Sequence, residues 1–162
     1  MRPQADQQSG TRAGLPLRVY IAAPLFNEME LARNLHIAQV LESHGMSVYL
    51  PQRNAGISYE AIDCGEDKVS VRRRIFAEDS DAVANSDVLV CLLDGRVPDE
   101  GACIELGMAF VLGKPCIGYK TDRRAMDVQG NNNIMIDGCL DGQIAGSESE
   151  LVSLLDPLTN KK

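Results

Sequence analysis

Val88-Leu89-Val90-Cys91-Leu92-Leu93-Asp94-Gly95, followed two residues later by Pro98-Asp99-Glu100-Gly101-Ala102-Cys103-Ile104-Glu105-Leu106-Gly107-Met108-Ala109, is the stretch that decides the fold. The apolar run reads as a buried strand and ends in a turn. A helix rich in small residues then opens and stops near Gly113-Lys114-Pro115. Strand, loop and helix start, in that order, is where open α/β sheets place their ligand sites. Asp99 falls in the N-cap region and Glu105 in the second turn, near the positive helix end that favours ionised carboxylates. Glu105 is flanked by Ile104 and Leu106 on a helix expected to pack on the sheet. A carboxylate there is costly unless paired or used, and the competing reading is an ordinary surface glutamate.

The same alternation extends outward in both directions. Upstream, Leu17-Arg18-Val19-Tyr20-Ile21-Ala22-Ala23 is predicted as the first strand, broken by Pro24. A helix starts at Asn27-Glu28, carries Leu31, Leu35, Ala38 and Leu41 at helical spacing, and ends at Gly45. Met46-Ser47-Val48-Tyr49-Leu50 is the second strand, stopped by Pro51, which makes a right-handed βαβ unit with parallel strands. Residues 51–66 read as a long loop. A second helix spans about 67–85, with Val71, Ile75, Ala82 and Val83 as its inner face. Downstream, Pro115 to Tyr119 is the fourth strand and residues 120–132 a polar loop. Asn133-Ile134-Met135-Ile136 is the expected fifth strand. A terminal helix runs from Ser147, its cap, with Glu150 as capping-box partner. The expectation is an α/β three-layer sandwich with a mostly parallel five-stranded sheet of flavodoxin-like order 2-1-3-4-5. Residues 1–16 are expected to be a mobile tail and 17–162 a single domain.

The chain has 162 residues, 44% hydrophobic and 24% charged, enough for one real core. A net charge of −7 argues against nucleic acid or an anionic membrane as partner. No apolar run reaches membrane-spanning length, and the first ten residues lack a signal-peptide core. The five cysteines form no CxxC pair, which fits reduced thiols in a cytoplasmic protein. His36 and His44 lie on one helix without ligand-spaced partners, so no metal site and no cofactor are expected.

The first strand is followed by Ala22-Ala23-Pro24-Leu25-Phe26 rather than a dinucleotide-binding glycine fingerprint, and there is no Walker A lysine motif or nucleophile elbow. Carboxylates and amides remain at the sheet's carboxyl edge: Asp79, Asp99, Glu100, Glu105 and Asn133. Two carboxylates in different environments are what glycosidic-bond chemistry needs, one to attack the anomeric carbon and one to protonate the leaving group. Asp79 shares a helix face with Phe76 and Val83 but sits in the acidic run Glu78-Asp79-Ser80-Asp81, where a solvated residue is the simpler reading. Tyr20 could hydrogen-bond Glu105 or simply pack in the core. Phe26 could stack on a base or anchor its loop.

Together these residues resemble the nucleoside 2-deoxyribosyltransferases over about residues 17–138. The resemblance is carried by Val19 through Asn27, Asp79 eight positions before Asp87, Asp99 through Gly107, Gly113-Lys114-Pro115 and Asn133-Ile134-Met135. The loop Asp122-Arg123-Arg124 is similar to kinetoplastid members. The resemblance implies a double displacement of 2-deoxyribose between nucleobases, without cofactor. Glu105 matches the nucleophile, Asp79 the acid at the base and Tyr20 the tyrosine that orients the nucleophile. Asp99 matches a contact to the sugar's 5′-hydroxyl or to the base. Phe26 and Gln52 are the expected base contacts, with Asn54 beside them and Ala55 where the family often carries glutamine. Asn133 and Met135 match a segment that completes a neighbouring subunit's site, which implies a homo-oligomer, dimer or hexamer. The resemblance also admits a hydrolase of 2′-deoxynucleoside 5′-monophosphates and a non-catalytic nucleotide-binding module. A carboxylate at Asp99 opposes the phosphorylated substrate: like charges about 4 Å apart at an effective dielectric near 20 repel by roughly 4 kcal/mol. Arg123 and Arg124 could offset that repulsion.

Overall fold

The computed structural model describes residues 14–95, 97–122 and 132–159. Five strands, β1 (Arg18–Ala22), β2 (Ser47–Tyr49), β3 (Val88–Leu92), β4 (Cys116–Tyr119) and β5 (Ile144–Ala145), form one sheet in the order β2-β1-β3-β4-β5. Every pairing is parallel, with Val19 opposite both Val48 and Val88, and Leu89 opposite Cys116. Seven helices connect and cover the strands: α1 (Glu28–Ser43), α2 (Pro51–Asn54), α3 (Ser58–Asp63), α4 (Lys68–Asn85), α5 (Glu100–Val111), α6 (Ile134–Leu140) and α7 (Glu148–Thr159).

The period-two alternation of each strand splits the core into two layers. Val19, Ile21, Val88, Val90 and Leu92 pack with Ile37 and Leu41 of α1 and Leu151 and Leu155 of α7. Tyr20, Ala22, Leu89 and Cys91 face the other way, against Val83 of α4, Leu106 of α5 and Leu140 of α6. Strands covered on both faces are apolar throughout, as in β3, where all five residues are buried. That explains why the Val88–Leu93 run shows no alternation in sequence.

Several expectations need correction. The stretch 51–66 is not structureless: Pro51 opens α2 at its first turn, where a missing N–H is harmless, and α3 follows. The buried stripe of α1 is Asn34, Ile37, Ala38 and Leu41, whereas Leu35 is exposed. Asn133-Ile134-Met135-Ile136 is not a strand. Asn133 caps α6, its Oδ1 accepting the Met135 N–H at 2.9 Å, and Ile136 and Leu140 bury at a four-residue spacing. The fifth strand lies further on, after Asp141 and Gly142 turn the chain through positive φ angles of 51° and 76°. The terminal helix begins as expected, with the Glu150 N–H on Ser147 Oγ at 3.3 Å, although the Glu150 carboxylate reaches back to the Gly146 N–H. Most of the expected N-terminal tail, together with Arg123 and Arg124, lies outside the described residues. Among the described residues, no helix is long and apolar enough to cross a membrane.

Candidate active site

α5 presents Glu105 to the sheet because Ala102, Leu106 and Ala109 bury on the same side. β1 presents Tyr20, fully buried, from below. The Tyr20 hydroxyl donates to Glu105 Oε1 at 2.7 Å. α4 brings in Asp79. Its buried residues Val71 and Val83 stand eight and four residues from Asp79, so the carboxylate lies on the stripe that faces the sheet, while Phe76, expected to share that face, is exposed. The Tyr49 hydroxyl donates to Asp79 Oδ1 at 3.1 Å. Tyr20 and Tyr49 are directly paired across β1 and β2, and their rings stack with centroids 5.4 Å apart and planes 11° from parallel.

Burial pushes the Glu105 carboxyl up to about 8, the Tyr20 hydrogen bond working against it and the charges of Asp79 and Asp99 adding to it. This reverses the expectation that the helix dipole keeps Glu105 ionised. The dipole's influence fades within the first turn, whereas loss of water acts on the whole carboxylate. Burial also raises Asp79, to about 6, with the Tyr49 hydrogen bond lowering it and Glu78 raising it. Both phenols are held well above their ordinary range, by burial first and then by the carboxylates around them. They therefore stay donors across the physiological range.

The other expected site residues have defined places. Asp99 caps α5, its Oδ2 accepting the Ala102 N–H at 2.8 Å. A Cβ on Gly101 would stand 3.0 Å from that oxygen, so the absence of a side chain there gives the cap room. Phe26 is exposed, and its N–H donates to Glu30 Oε2 at 2.8 Å while Glu30 N–H donates to Asn27 Oδ1 at 3.0 Å, a reciprocal helix cap. Gln52 has its amide directed at α1: Nε2 donates to the Leu31 carbonyl at 2.9 Å, and Oε1 accepts from Asn34 Nδ2 at 3.0 Å. Asn34, buried, also reaches the Pro24 carbonyl at 2.7 Å. Asn54 Oδ1 accepts the Leu50 N–H. Asn133 and Met135 stand exposed at the start of α6.

Sequence reading missed Tyr49, Asn34 and Asp94. Asp94 ties the ends of β3 and β4 together: Oδ1 accepts the N–H groups of Thr121 and Asp122, Oδ2 accepts the Thr121 hydroxyl, and Arg33 pairs with it at 2.6 Å. Beside it lies a cavity of about 470 Å³, lined by Pro24, Asn27, Glu30, Arg33, Asp94 and Gly95 among others. It sits where the strand order reverses between β1 and β3, the usual ligand crevice of such sheets. No cluster able to hold a metal ion occurs among the described residues.

A doubly wound parallel sheet bearing two carboxyls of raised proton affinity, each bonded to its own tyrosine, defines an α/β protein with a paired-carboxyl site. The model of the nucleoside 2-deoxyribosyltransferase family matches residues 19–146, and the chain belongs to that family. It is 30% identical over 106 residues to a nucleoside deoxyribosyltransferase of Limosilactobacillus fermentum, a match that spans 62% of either protein's length. The fold is shared with a 2-deoxyribosyltransferase from Bacillus psychrosaccharolyticus (TM-score 0.65, 23% identity, covering 85% of this chain and 95% of the other). It is also shared with the CMP N-glycosidase BcmB of Clostridium botulinum (TM-score 0.51, 23% identity, covering 86% and 98%).

Proposed function

We propose that the protein transfers 2-deoxyribose between nucleobases through a covalent intermediate on Glu105. The observation that carries this reading is the paired geometry of the two carboxyls, Glu105 held by the Tyr20 hydroxyl at 2.7 Å and Asp79 by the Tyr49 hydroxyl at 3.1 Å. The reactive form is the one-proton state with the proton on Asp79 and Glu105 ionised; because burial raises Glu105 more than Asp79, it is the minor of the two one-proton forms. Glu105 Oε2 or Oε1 attacks C1′, the C1′–N bond breaks, and the proton on Asp79 goes to the departing base nitrogen. Tyr20 holds Glu105 in line through its 2.7 Å hydrogen bond. In the second step the incoming base gives its proton to Asp79, attacks C1′ and releases Glu105. A 2′-hydroxyl would crowd the attacking carboxylate, which favours deoxynucleosides. Asp99 is assigned to the sugar's 5′ end or the base, and Phe26 to stacking on the base. Gln52 acts on the base through the loop that it ties to α1.

A second copy of the chain completes the site with Asn133 and Met135. Ile134 and Met135, 83% and 74% exposed, give that segment an apolar face for the contact. The fold shared with a CMP N-glycosidase supports a second reading, hydrolysis of 2′-deoxynucleoside 5′-monophosphates by the same two carboxyls. Asp99 weighs against it through charge repulsion with the phosphate.

The test is incubation with deoxyinosine, with and without adenine, for the wild type, Glu105→Ala and Asp79→Asn, with products read by chromatography. The wild type is expected to form deoxyadenosine only when adenine is present. Glu105→Ala should abolish exchange, and Asp79→Asn should slow it by about 10²–10⁴-fold, most for bases that leave poorly. Cleavage of deoxynucleotides but not deoxynucleosides selects the second reading. Near-normal turnover by Glu105→Ala rejects the nucleophile.

A further inference from the structure

We infer that Tyr49 is the positioning residue of Asp79: its hydroxyl, fixed by the ring stack on Tyr20, occupies Oδ1 and so leaves the transferable proton on Oδ2. The inference rests on the acid role proposed above for Asp79. Three features of the fold support it.

The first is register. Tyr20 and Tyr49 are opposite each other on parallel neighbouring strands, so their side chains leave the same face of the sheet side by side. The separation of neighbouring strands, about 4.8 Å, is close to ring-stacking distance, and the rings lie 5.4 Å apart and nearly parallel. Each phenol is thus the other's support, and each points its hydroxyl at a different carboxyl, Glu105 or Asp79.

The second is hydrogen-bond chemistry. A protonated carboxyl has one carbonyl oxygen and one hydroxyl oxygen, and the carbonyl oxygen is the better acceptor. A donor fixed at Oδ1 selects the form with the hydroxyl at Oδ2. Tyr49 serves as that donor because its own proton is held tightly by burial and by Asp79.

The third is the balance of charges around Asp79. Tyr49 faces it from β2, Tyr20 from β1, Glu105 from α5 and Glu78 from α4 itself. Glu78 is partly offset by Arg74, 3.5 Å away. Burial and Glu78 raise the proton affinity of Asp79, and the Tyr49 hydrogen bond opposes them.

Tyr49→Phe retains the ring and the stack and removes only the hydroxyl, so it is expected to fold. The decisive measurement is the titration of the Asp79 side-chain carboxyl, followed by carbon NMR in wild type, Tyr49→Phe and Tyr20→Phe. Loss of a hydrogen bond worth about 1 kcal/mol should raise the Asp79 midpoint by about 0.7 unit in Tyr49→Phe. In Tyr20→Phe the Glu105 midpoint should move instead. The acid limb of the pH–rate profile should move upward with Asp79 in Tyr49→Phe. An Asp79 midpoint unchanged by Tyr49→Phe, or an acid limb that stays in place while the midpoint moves, overturns the inference. The NMR titration needs no turnover, so a wild type without exchange activity would refute the proposed reaction while leaving the Tyr49–Asp79 coupling separately readable.

Discussion

Glu105 binds its proton more tightly in the folded chain than in the unfolded one, because burial denies the carboxylate its water. Its ordinary value is 4.5 and its folded value about 8. Between these the native state carries more protons than the unfolded state, so stability falls as pH rises through that window. The full penalty is present above pH about 8 and absent below about 4.5. Glu105→Gln removes it while preserving shape and a hydrogen-bond acceptor for Tyr20. The variant should melt several degrees above wild type at pH 9, and the gap should close at pH 5; thermal melts at the two pH values check this, and equal gaps would contradict it. Glu105 was legible in sequence because a carboxylate between Ile104 and Leu106 on a sheet-facing helix needs a reason. Tyr20 followed from its place on a central strand. Tyr49 was not legible, since its partnership depends on which residue of β2 lies opposite Tyr20, and register is a property of two strands together. The amides of Gln52 and Asn54 read equally well as ligand groups or as loop ties, and only coordinates show the bonds they make.

At the level of elements, β4 shows how a missing side chain sets helix placement. Ile117 and Tyr119 face α1 and α7, and Gly118 faces the opposite layer. A Cβ on Gly118 would stand 2.8 Å from Leu93 Cδ1, 3.0 Å from Leu140 Cδ1 and 3.2 Å from Ile144 Cγ1. Leu93 and Leu140 are fully buried, so neither can swing away freely. Gly118→Ala should therefore destabilise by about 1–3 kcal/mol, visible as a drop of roughly 2–4 °C in melting temperature per kcal/mol. An unchanged melt would show that α6 has slack. The main strands and helices were readable because parallel sheets alternate with helices and β3 is apolar throughout. The segment 133–136 was misread because three apolar residues in a row do not distinguish a strand from a helix's first turn. Its Asn133 cap was the available signal. The short α2 and α3 escaped because Gly56 and Gly65 punctuate them so closely that the stretch reads as loop.

For the whole molecule, the proposed assembly places one copy's α6 against another's site. Ile134 and Met135 are the exposed apolar residues at that helix start. Replacing both by Asp should convert an oligomer to monomers in sedimentation velocity and abolish base exchange while circular dichroism stays native. A wild type that sediments as a monomer and still exchanges bases would remove the second copy from the site. The sheet order followed from the alternation together with a common winding of such sheets; how two copies meet was not legible, because an exposed apolar pair does not announce its partner. The stacked tyrosines have one further consequence. The chain contains no tryptophan and four tyrosines, and two of the four hydroxyls are bonded to the paired carboxyls. With no indole to drain excitation energy, ultraviolet emission comes from phenols alone, and a carboxylate accepting a phenol's proton quenches it. A change at either hydroxyl–carboxyl pair is thus written into the protein's own light, with no dye attached.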